Sequence, residues 1–126
     1  MAATTRIISV SIPVGDQDKA IDFYTQTLGC ELVNDMELWP GARLVEVRPP
    51  GSTVSLLLLP PNSEIPVAVR LGTTDADEAH ARLTAAGATV HNDEPLRWEG
   101  VPPMFAFADG DGNTLVYLEE GEPTGA

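Results

Sequence analysis

Two segments of the chain alternate apolar and polar residues and then end at an aspartate. Residues 8–16 read ISVSIPVGD and residues 67–75 read VAVRLGTTD, and this period-two pattern is typical of half-buried β-strands. The two aspartates, Asp16 and Asp75, lie 59 positions apart. The pattern therefore predicts an internal duplication in which each half begins with a strand.

An amphipathic helix is predicted after each aspartate. Both aspartates suit the N-cap position, and Asp75 forms a capping-box pattern with Glu78. Gly29 and Gly87 follow at places where a left-handed residue commonly ends a helix. The predicted apolar sides consist of Ala20, Ile21, Phe23, Tyr24 and Leu28 in the first helix and of Ala76, Ala79, Leu83 and Ala86 in the second.

The extended segments after the two helices contain matching turns. Residues 39–41 (WPG) and 98–100 (WEG) are predicted hairpin turns, and they are again 59 positions apart. The last strand of each half follows a glycine, Gly51 or Gly112. The order β-α-β-β-β is therefore predicted to occur twice.

The predicted fold class is α+β, with two tandem βαβββ modules in one domain of residues 1–120. The modules cover about residues 6–60 and 66–120, and residues 121–126 are predicted to form a flexible tail because they lack apolar side chains. One module leaves a sheet face uncovered, so two modules are expected to pack around a shared cleft. A ferredoxin-like α/β sandwich that uses the same helices is the alternative, and the repeated tryptophan turns favour the first fold.

Alternation also assigns side chains to the two faces of the strands. The face under the first helix is expected to hold Ile8, Val10, Ile12 and Val14. Ser9 and Ser11 then lie on the concave face, and Arg70 shares that face with Ala68 in the second half. The concave residues are polar in the first half (Ser9, Ser11, Thr53, Ser55) and mostly apolar in the second (Ala68, Val116, Leu118). A cleft of this kind suits an amphiphilic ligand.

Composition narrows the possible partners. The 126 residues include 7 basic and 19 acidic side chains, which gives a net charge of −12, so nucleic acid and anionic membrane surfaces are not expected partners. The apolar content of 43% fits a globular domain, and no apolar run is long enough for a membrane span. The single cysteine, Cys30, suits a reducing compartment, so a cytoplasmic location is predicted.

Two short motifs resemble those of a known protein family. One is residues 14–24 (VGDQDKAIDFY), followed by Leu28-Gly29, and the other is residues 109–113 (DGDGN). In this order and in a duplicated chain, they resemble the vicinal oxygen chelate superfamily, which includes glyoxalase I, extradiol dioxygenases, fosfomycin-modifying enzymes and bleomycin-resistance proteins. The resemblance implies the glyoxalase/bleomycin resistance/dihydroxybiphenyl dioxygenase fold, a half-open barrel around a cleft, and a homodimer. The sequence leaves open whether the cleft lies within one chain or between two.

Enzymes of that superfamily hold a divalent metal through His or Glu side chains at four positions of the concave face. The resemblance places these positions at Ser9, Ser55, Ala68 and Val116. None of the four is a usual ligand of a catalytic divalent metal, and no His or Glu stands within one residue of any of them. No metal and no other cofactor is therefore predicted.

The two histidines lie elsewhere in the sequence. His80 falls within the second predicted helix and His91 in the strand that follows, and both are interpreted as structural residues. Residues 91–94 (HNDE) could bind a metal opportunistically, but a polar strand end in solvent is the preferred interpretation.

Arg70 is the strongest candidate for a ligand-binding residue. Its guanidinium could hold a carboxylate, phosphate or enolate of a ligand, or it could form an ion pair with Glu46 at the mouth of the cleft. Trp39 and Trp98 could stack on a planar ligand, whereas large aromatic residues at hairpin ends more often cap the core. The predicted ligand-binding residues are Ser9, Ser11, Ser55, Arg70, Trp98 and Val116, and no catalytic residue is predicted.

Three functional hypotheses follow. The first is a metal-free protein that sequesters or carries a hydrophobic or aromatic metabolite or antibiotic, as the resemblance to bleomycin-resistance proteins implies. The second is an enzyme, either a lyase, isomerase or dioxygenase with displaced or absent metal ligands or a metal-free catalyst that uses Arg70 as an electrophile. The third is an interaction module whose cleft is filled by side chains. No nucleophile and base can be paired in the cleft, so the sequence favours binding over catalysis.

Overall fold

The structure, a computed structural model, describes residues 4–121. They divide into two compact units, and the strand β1 (Thr4–Pro13) passes from one unit to the other at Ile8. The first unit, residues 8–67, also contains α1 (Gln17–Asp22), a π-helical turn (Phe23–Thr27), β2 (Glu31–Glu37), β3 (Arg43–Arg48) and β4 (Ser55–Leu59). The second unit begins at Ala68 and contains β5 (Val69–Thr73), α2 (Ala76–Ala85), β6 (Thr89–Val90), β7 (Leu96–Trp98), β8 (Val101–Ala108) and β9 (Thr114–Glu119).

The strands of the two units follow the same order. In the first unit they are hydrogen bonded in the order β2-β3-β4-β1, and in the second in the order β6-β8-β9-β5, with β7 also paired to β8. The first and last strands of each unit are parallel neighbours, and the other pairs are antiparallel. The predicted α+β fold with two βαβββ repeats is confirmed. The ferredoxin-like alternative, in which both helices share one four-stranded sheet, is wrong.

One of the two buried apolar clusters of the first unit lies between α1 and the strands. Val45, Val47 and Leu58 are completely buried there. Cys30 joins them as a buried free thiol. The residues between β1 and the π-helical turn, both included, that pack against this core are Ile12, Val14, Ala20, Ile21 and Tyr24.

Two residues that were predicted on the apolar side of the first helix are exposed instead. Phe23 is 51% and Leu28 is 54% exposed. Phe23 lies two residues after Ile21, and a helix carries a residue at that spacing to its opposite side. The chain then forms the π-helical turn, in which the Leu28 N–H donates to Phe23 O at 3.1 Å. This wider turn adds a residue and moves Leu28 away from the position that a regular helix would give it.

Both predicted helix caps are confirmed. The Asp16 carboxylate accepts a hydrogen bond from the Lys19 N–H at 3.1 Å, and the Asp75 carboxylate accepts one from the Glu78 N–H at 3.1 Å. The chain leaves each helix through a glycine of positive φ, as predicted. Ala86, predicted on the apolar side of α2, is exposed because it is the C-cap residue. Within residues 4–121, neither helix is long and apolar enough to cross a bilayer.

The core of the second unit is aromatic. Phe105, Phe107 and Tyr117 are buried beside Ala79 of α2. Their ring centroids lie between 5.0 and 5.9 Å apart, which is the range of favourable aromatic pairs. The His80 ring packs edge-on against Phe105 at 5.0 Å. Alternation along β8 and β9 therefore leaves the other face of these strands free of the aromatic core.

The turn between β8 and β9, which contains the DGDGN motif, is held by one carboxylate. Asp109 Oδ1 accepts hydrogen bonds from the N–H groups of Asp111 and Asn113, both at 2.9 Å, and Oδ2 accepts one from Asn113 Nδ2 at 2.8 Å. The Asn113 side chain first, and then backbone N–H groups, lower the pKa of Asp109 below its ordinary value of 3.8. Ionised Asp109 therefore stabilises this turn.

We expect the Asp109 carboxyl, followed by NMR, to titrate with a midpoint below 3.8 in the folded protein. Because the folded-state pKa is lowered, the contribution of Asp109 to stability is present above the unfolded-state pKa and is lost as the pH falls through the folded-state pKa. Asn113→Ala should raise the midpoint toward the ordinary value. An unchanged midpoint in that variant would contradict the assigned cause.

Candidate functional site

A pair of serines lies on the sheet face of the first unit that points away from α1. Ser9 of β1 and Ser55 of β4 are partners in the parallel register, and they are 3% and 1% exposed. Ser11 follows on the same face, and its hydroxyl donates to the Pro66 carbonyl at 3.5 Å. The structure therefore brings Ser9, Ser11 and Ser55 together, at places that alternation along the strands assigns to one face.

An arginine outside the predicted set lies beside the serine pair. Arg48 Nε donates to Ser55 Oγ at 2.9 Å, and Arg48 Nη2 donates to Glu46 Oε2 at 3.3 Å. Glu46 Oε1 accepts a further hydrogen bond from Asn34 Nδ2 at 2.7 Å. We name these four residues the Arg48 network. Glu46, which the sequence suggested as a partner of Arg70, is thus engaged by this network, and positive charge lies next to Ser55.

Part of the Arg48 network can be predicted from the sequence. Alternation along β3 puts Val47 in the core, so Glu46 and Arg48 must share the opposite face. The register of β3 on β4 pairs Val47 with Leu56. This register brings the next residue of β3, Arg48, opposite Ser55.

The corresponding face of the second unit holds Arg70. It is the register partner of Val116 in β9, on the side away from the aromatic core. Ala68 and Val116 beside it are 7% and 5% exposed. The half-buried position of Arg70 lowers the pKa of its guanidinium through desolvation, although arginine stays charged in proteins. A partly desolvated cation binds an anion more strongly than a cation in water does.

The two turn tryptophans are exposed, so their interpretation as caps of the core is wrong. Trp39 is 43% and Trp98 is 54% exposed, and Trp39 Nε1 donates to Glu64 Oε2 at 2.6 Å. Trp98 ends β7, three strands away from Arg70 in β5. At the usual spacing of strands this is a separation of about 14 Å. The structure therefore does not bring Trp98 together with Arg70 and Val116.

The histidines lie apart from both faces. His80 Nε2 is 2.7 Å from Asn92 O, and Asn92 Oδ1 accepts a hydrogen bond from the Ala106 N–H at 2.8 Å. The His91 N–H donates to Ala106 O at 2.9 Å. These bonds attach α2 to the strands and support a structural role for His80. In the described part of the chain, no three His, Cys, Asp or Glu side chains lie close enough together to hold a metal ion.

Two surface depressions lie beside α2, with volumes of about 300 and 230 Å³. Leu83 and Phe107 contribute to the larger, and His80 and Asn92 to the smaller. None of the predicted ligand-binding residues lines either depression. The predicted residues therefore lie outside both depressions, on the sheet face of each unit that points away from its helix.

Comparison with known proteins decides the family. Residues 6–117 match the Glyoxalase/Bleomycin resistance protein/Dioxygenase superfamily. The chain belongs to this superfamily. The match covers both βαβββ repeats, and it confirms the family that the two motifs indicated.

Three proteins with different descriptions are similar to this chain. It is 29% identical to the uncharacterized protein YurT of Bacillus subtilis (strain 168), over 91% of the chain and 99% of YurT. Methylmalonyl-CoA epimerase from Mycobacterium tuberculosis is 24% identical, with 95% of this chain and 90% of the epimerase covered and a TM-score of 0.78. TnmS3, an antibiotic binding protein from Streptomyces sp. CB03234, is 32% identical over 94% of the chain and 98% of TnmS3, with a TM-score of 0.44. The likeness to the epimerase shows the fold.

The divalent metal of the superfamily's enzymes does not fit the residues of this chain. Of the four corresponding positions, Ala68 and Val116 have no side-chain donor atom, and Ser9 and Ser55 offer neutral hydroxyls. The Ser55 hydroxyl also accepts the N–H of Arg48 at 2.9 Å. The positive charge of this guanidinium opposes a metal ion at the same position.

Proposed function

We propose that this chain is a metal-free small-molecule-binding protein of the glyoxalase/bleomycin-resistance type, which sequesters or carries a hydrophobic or aromatic metabolite or antibiotic with an anionic group. The observation that carries the proposal is the hydrogen bond from Arg48 to Ser55, at a position where the superfamily's enzymes have a metal ligand. Arg70 adds a half-buried cation on the second unit. In a chain of net charge −12, each arginine supplies positive charge on its own unit for an anionic group.

The described side chains favour binding over catalysis. The Ser55 hydroxyl is bonded to a guanidinium, which cannot accept a proton. Within residues 4–121, the Ser9 hydroxyl makes no hydrogen bond to a base. A serine nucleophile needs an adjacent base to activate it, so neither serine has the partner that catalysis requires. The proposed ligand-binding residues are Ser9, Ser11, Arg48 and Ser55 in the first unit and Arg70 and Val116 in the second.

Two fluorescent probes test this proposal because they differ in one charged group. Anilinonaphthalene sulfonate carries a sulfonate on an aromatic body, and phenylnaphthylamine has the same rings without the sulfonate. We expect both to bind saturably, with the sulfonate bound more tightly. Dialysis against a chelator should leave both affinities unchanged, and elemental analysis should find no stoichiometric divalent metal.

Two results would overturn the proposal. One is that neither probe binds saturably to the wild-type chain. The other is that a divalent metal is retained through dialysis at about one per chain and that its removal abolishes binding. Catalytic activity that appears with added metal and disappears with a chelator would instead establish the alternative, an enzyme of the superfamily with displaced metal ligands.

The proposal includes a homodimer in the cytoplasm. The edge strand β2 and the turn after it expose Leu32, Met36 and Leu38, each at 45–46%. Exposed apolar groups at a sheet edge are commonly covered by another chain. Light scattering should therefore give twice the mass of one chain, and a monomer mass at every concentration would contradict the dimer.

A further inference from the structure

We infer that Arg48 is the anion-binding residue of the first unit and that its guanidinium takes the role that a divalent cation has in the superfamily's enzymes. The ligand class is an oxyanion, such as a carboxylate or a sulfonate, attached to an apolar body. This inference rests on the proposed function, because it names the group that recognises the charged end of the proposed ligand.

The position of Arg48 supports the assignment. Ser9 and Ser55 stand at the two metal positions of the first repeat, and they are register partners on neighbouring strands. Arg48 Nε lies 2.9 Å from Ser55 Oγ. The guanidinium therefore lies at the place on the sheet where a histidine or glutamate would hold an ion. The Arg48 guanidinium thus supplies positive charge where the enzymes bind a metal ion.

The guanidinium also retains donors for a ligand. Arginine presents its N–H groups in a planar fork that matches the two oxygens of an oxyanion. Arg48 uses Nε on Ser55 and Nη2 on Glu46, and its Nη1 has no hydrogen-bond partner among residues 4–121. The Arg48 side chain is 36% exposed, so a ligand can reach it. The Ser9 hydroxyl stands on the next strand as a second donor.

Because of Glu46, the recognition of an anion by Arg48 depends more on hydrogen-bond geometry than on net charge. Its carboxylate lies 3.3 Å from Arg48 Nη2 and offsets part of the positive charge. The Glu46 side chain is 16% exposed and is held by Asn34 at 2.7 Å, so the guanidinium is kept in one orientation. An anion therefore gains mainly from directed, charge-assisted hydrogen bonds. A lysine at this position would supply charge without the fork.

The test measures the affinity of both probes for the wild-type chain and three variants. Arg48→Ala should weaken anilinonaphthalene sulfonate by about ten- to a hundredfold and leave phenylnaphthylamine within about twofold. Arg48→Lys should recover only part of the loss. Arg43→Ala is the matched control, because it removes the same charge from the same strand. Arg43 pairs with Asp18 and Asp35, so its removal should leave the ratio of the two affinities unchanged.

The outcomes separate this inference from the proposed function. If neither probe binds the wild-type chain, the proposed function is wrong and the inference falls with it. If both probes bind and Arg48→Ala leaves the ratio of their affinities unchanged, only the inference is wrong. Should the alanine variant fail to fold, Arg48→Lys decides by the same ratio, and its phenylnaphthylamine binding reports an intact fold. An equal loss of both probes would show that Arg48 supports the apolar part of the site, which also overturns the inference.

Discussion

Arg70→Ala should weaken the binding of anilinonaphthalene sulfonate by about ten- to a hundredfold, which corresponds to about 1.5–3 kcal/mol of binding free energy. Arg70 is half-buried beside Ala68 and Val116, and this burial lowers the pKa of its guanidinium. A charge-assisted hydrogen bond in such surroundings is weakened less by water than one at an exposed site. Fluorescence titration measures the loss, and phenylnaphthylamine should bind the variant as it binds the wild-type chain.

A conservative variant separates the two roles that Arg70 could have. Arg70→Lys should restore only part of the affinity for the sulfonate, because an ammonium group cannot form two parallel hydrogen bonds to it. The opposite result would be an unchanged affinity in Arg70→Ala together with a lower melting temperature. Arg70 would then be a structural ion-pair residue, and the ligand site of the second unit would lose its main member.

Phe105→Ala should lower the free energy of unfolding by about 3–5 kcal/mol. Phe105 is 1% exposed, and its ring lies 5.0 Å from that of His80, 5.9 Å from that of Phe107 and 5.8 Å from that of Tyr117. Removing the ring leaves a cavity among rigid side chains that cannot collapse to fill it. Urea denaturation followed by circular dichroism measures the change.

Val101→Ala is the control for this experiment, because it shortens an apolar side chain in the same strand, β8. Val101 is 41% exposed, so its loss should change the free energy of unfolding by no more than about 0.5 kcal/mol. Equal losses of unfolding free energy in the two variants would show that shortening any apolar side chain of β8 destabilises the fold, whether or not it belongs to the aromatic core. The assigned core would then be wrong.

The repeat was predictable from the sequence because its signals are local. Asp16 and Asp75 cap their helices through N–H groups three residues away, so nothing distant is needed to recognise them. Alternation likewise assigns Ser9 and Ser55 to one face without knowledge of the neighbouring strand. The fold could be inferred from such signals because both halves of the chain carry them in the same order.

The Arg48 network was not predictable in the same way, because strand register brings its members together. Arg48 and Ser55 stand on antiparallel neighbours, and their pairing depends on how residues 49–54 join the two strands. Asn34 meets Glu46 just after an irregularity in the β2–β3 pairing, and a period-two pattern does not reveal where such a bulge lies. The separation of Trp98 from Arg70 was not predictable for a related reason, since matching turns do not reveal how many strands lie between two residues.

The path of β1 determines whether the two sequence repeats can fold as separate fragments. Residues 4–7 belong to the same compact unit as the chain after Ala68. The hydroxyls of Thr4 and Tyr117 are hydrogen bonded at 2.6 Å, and Arg6 pairs with Glu120 at 2.7 Å. A fragment that starts at Ala68 would therefore lack part of its own unit. Although the sequence is duplicated, cutting it at the boundary between the repeats does not yield two self-sufficient copies.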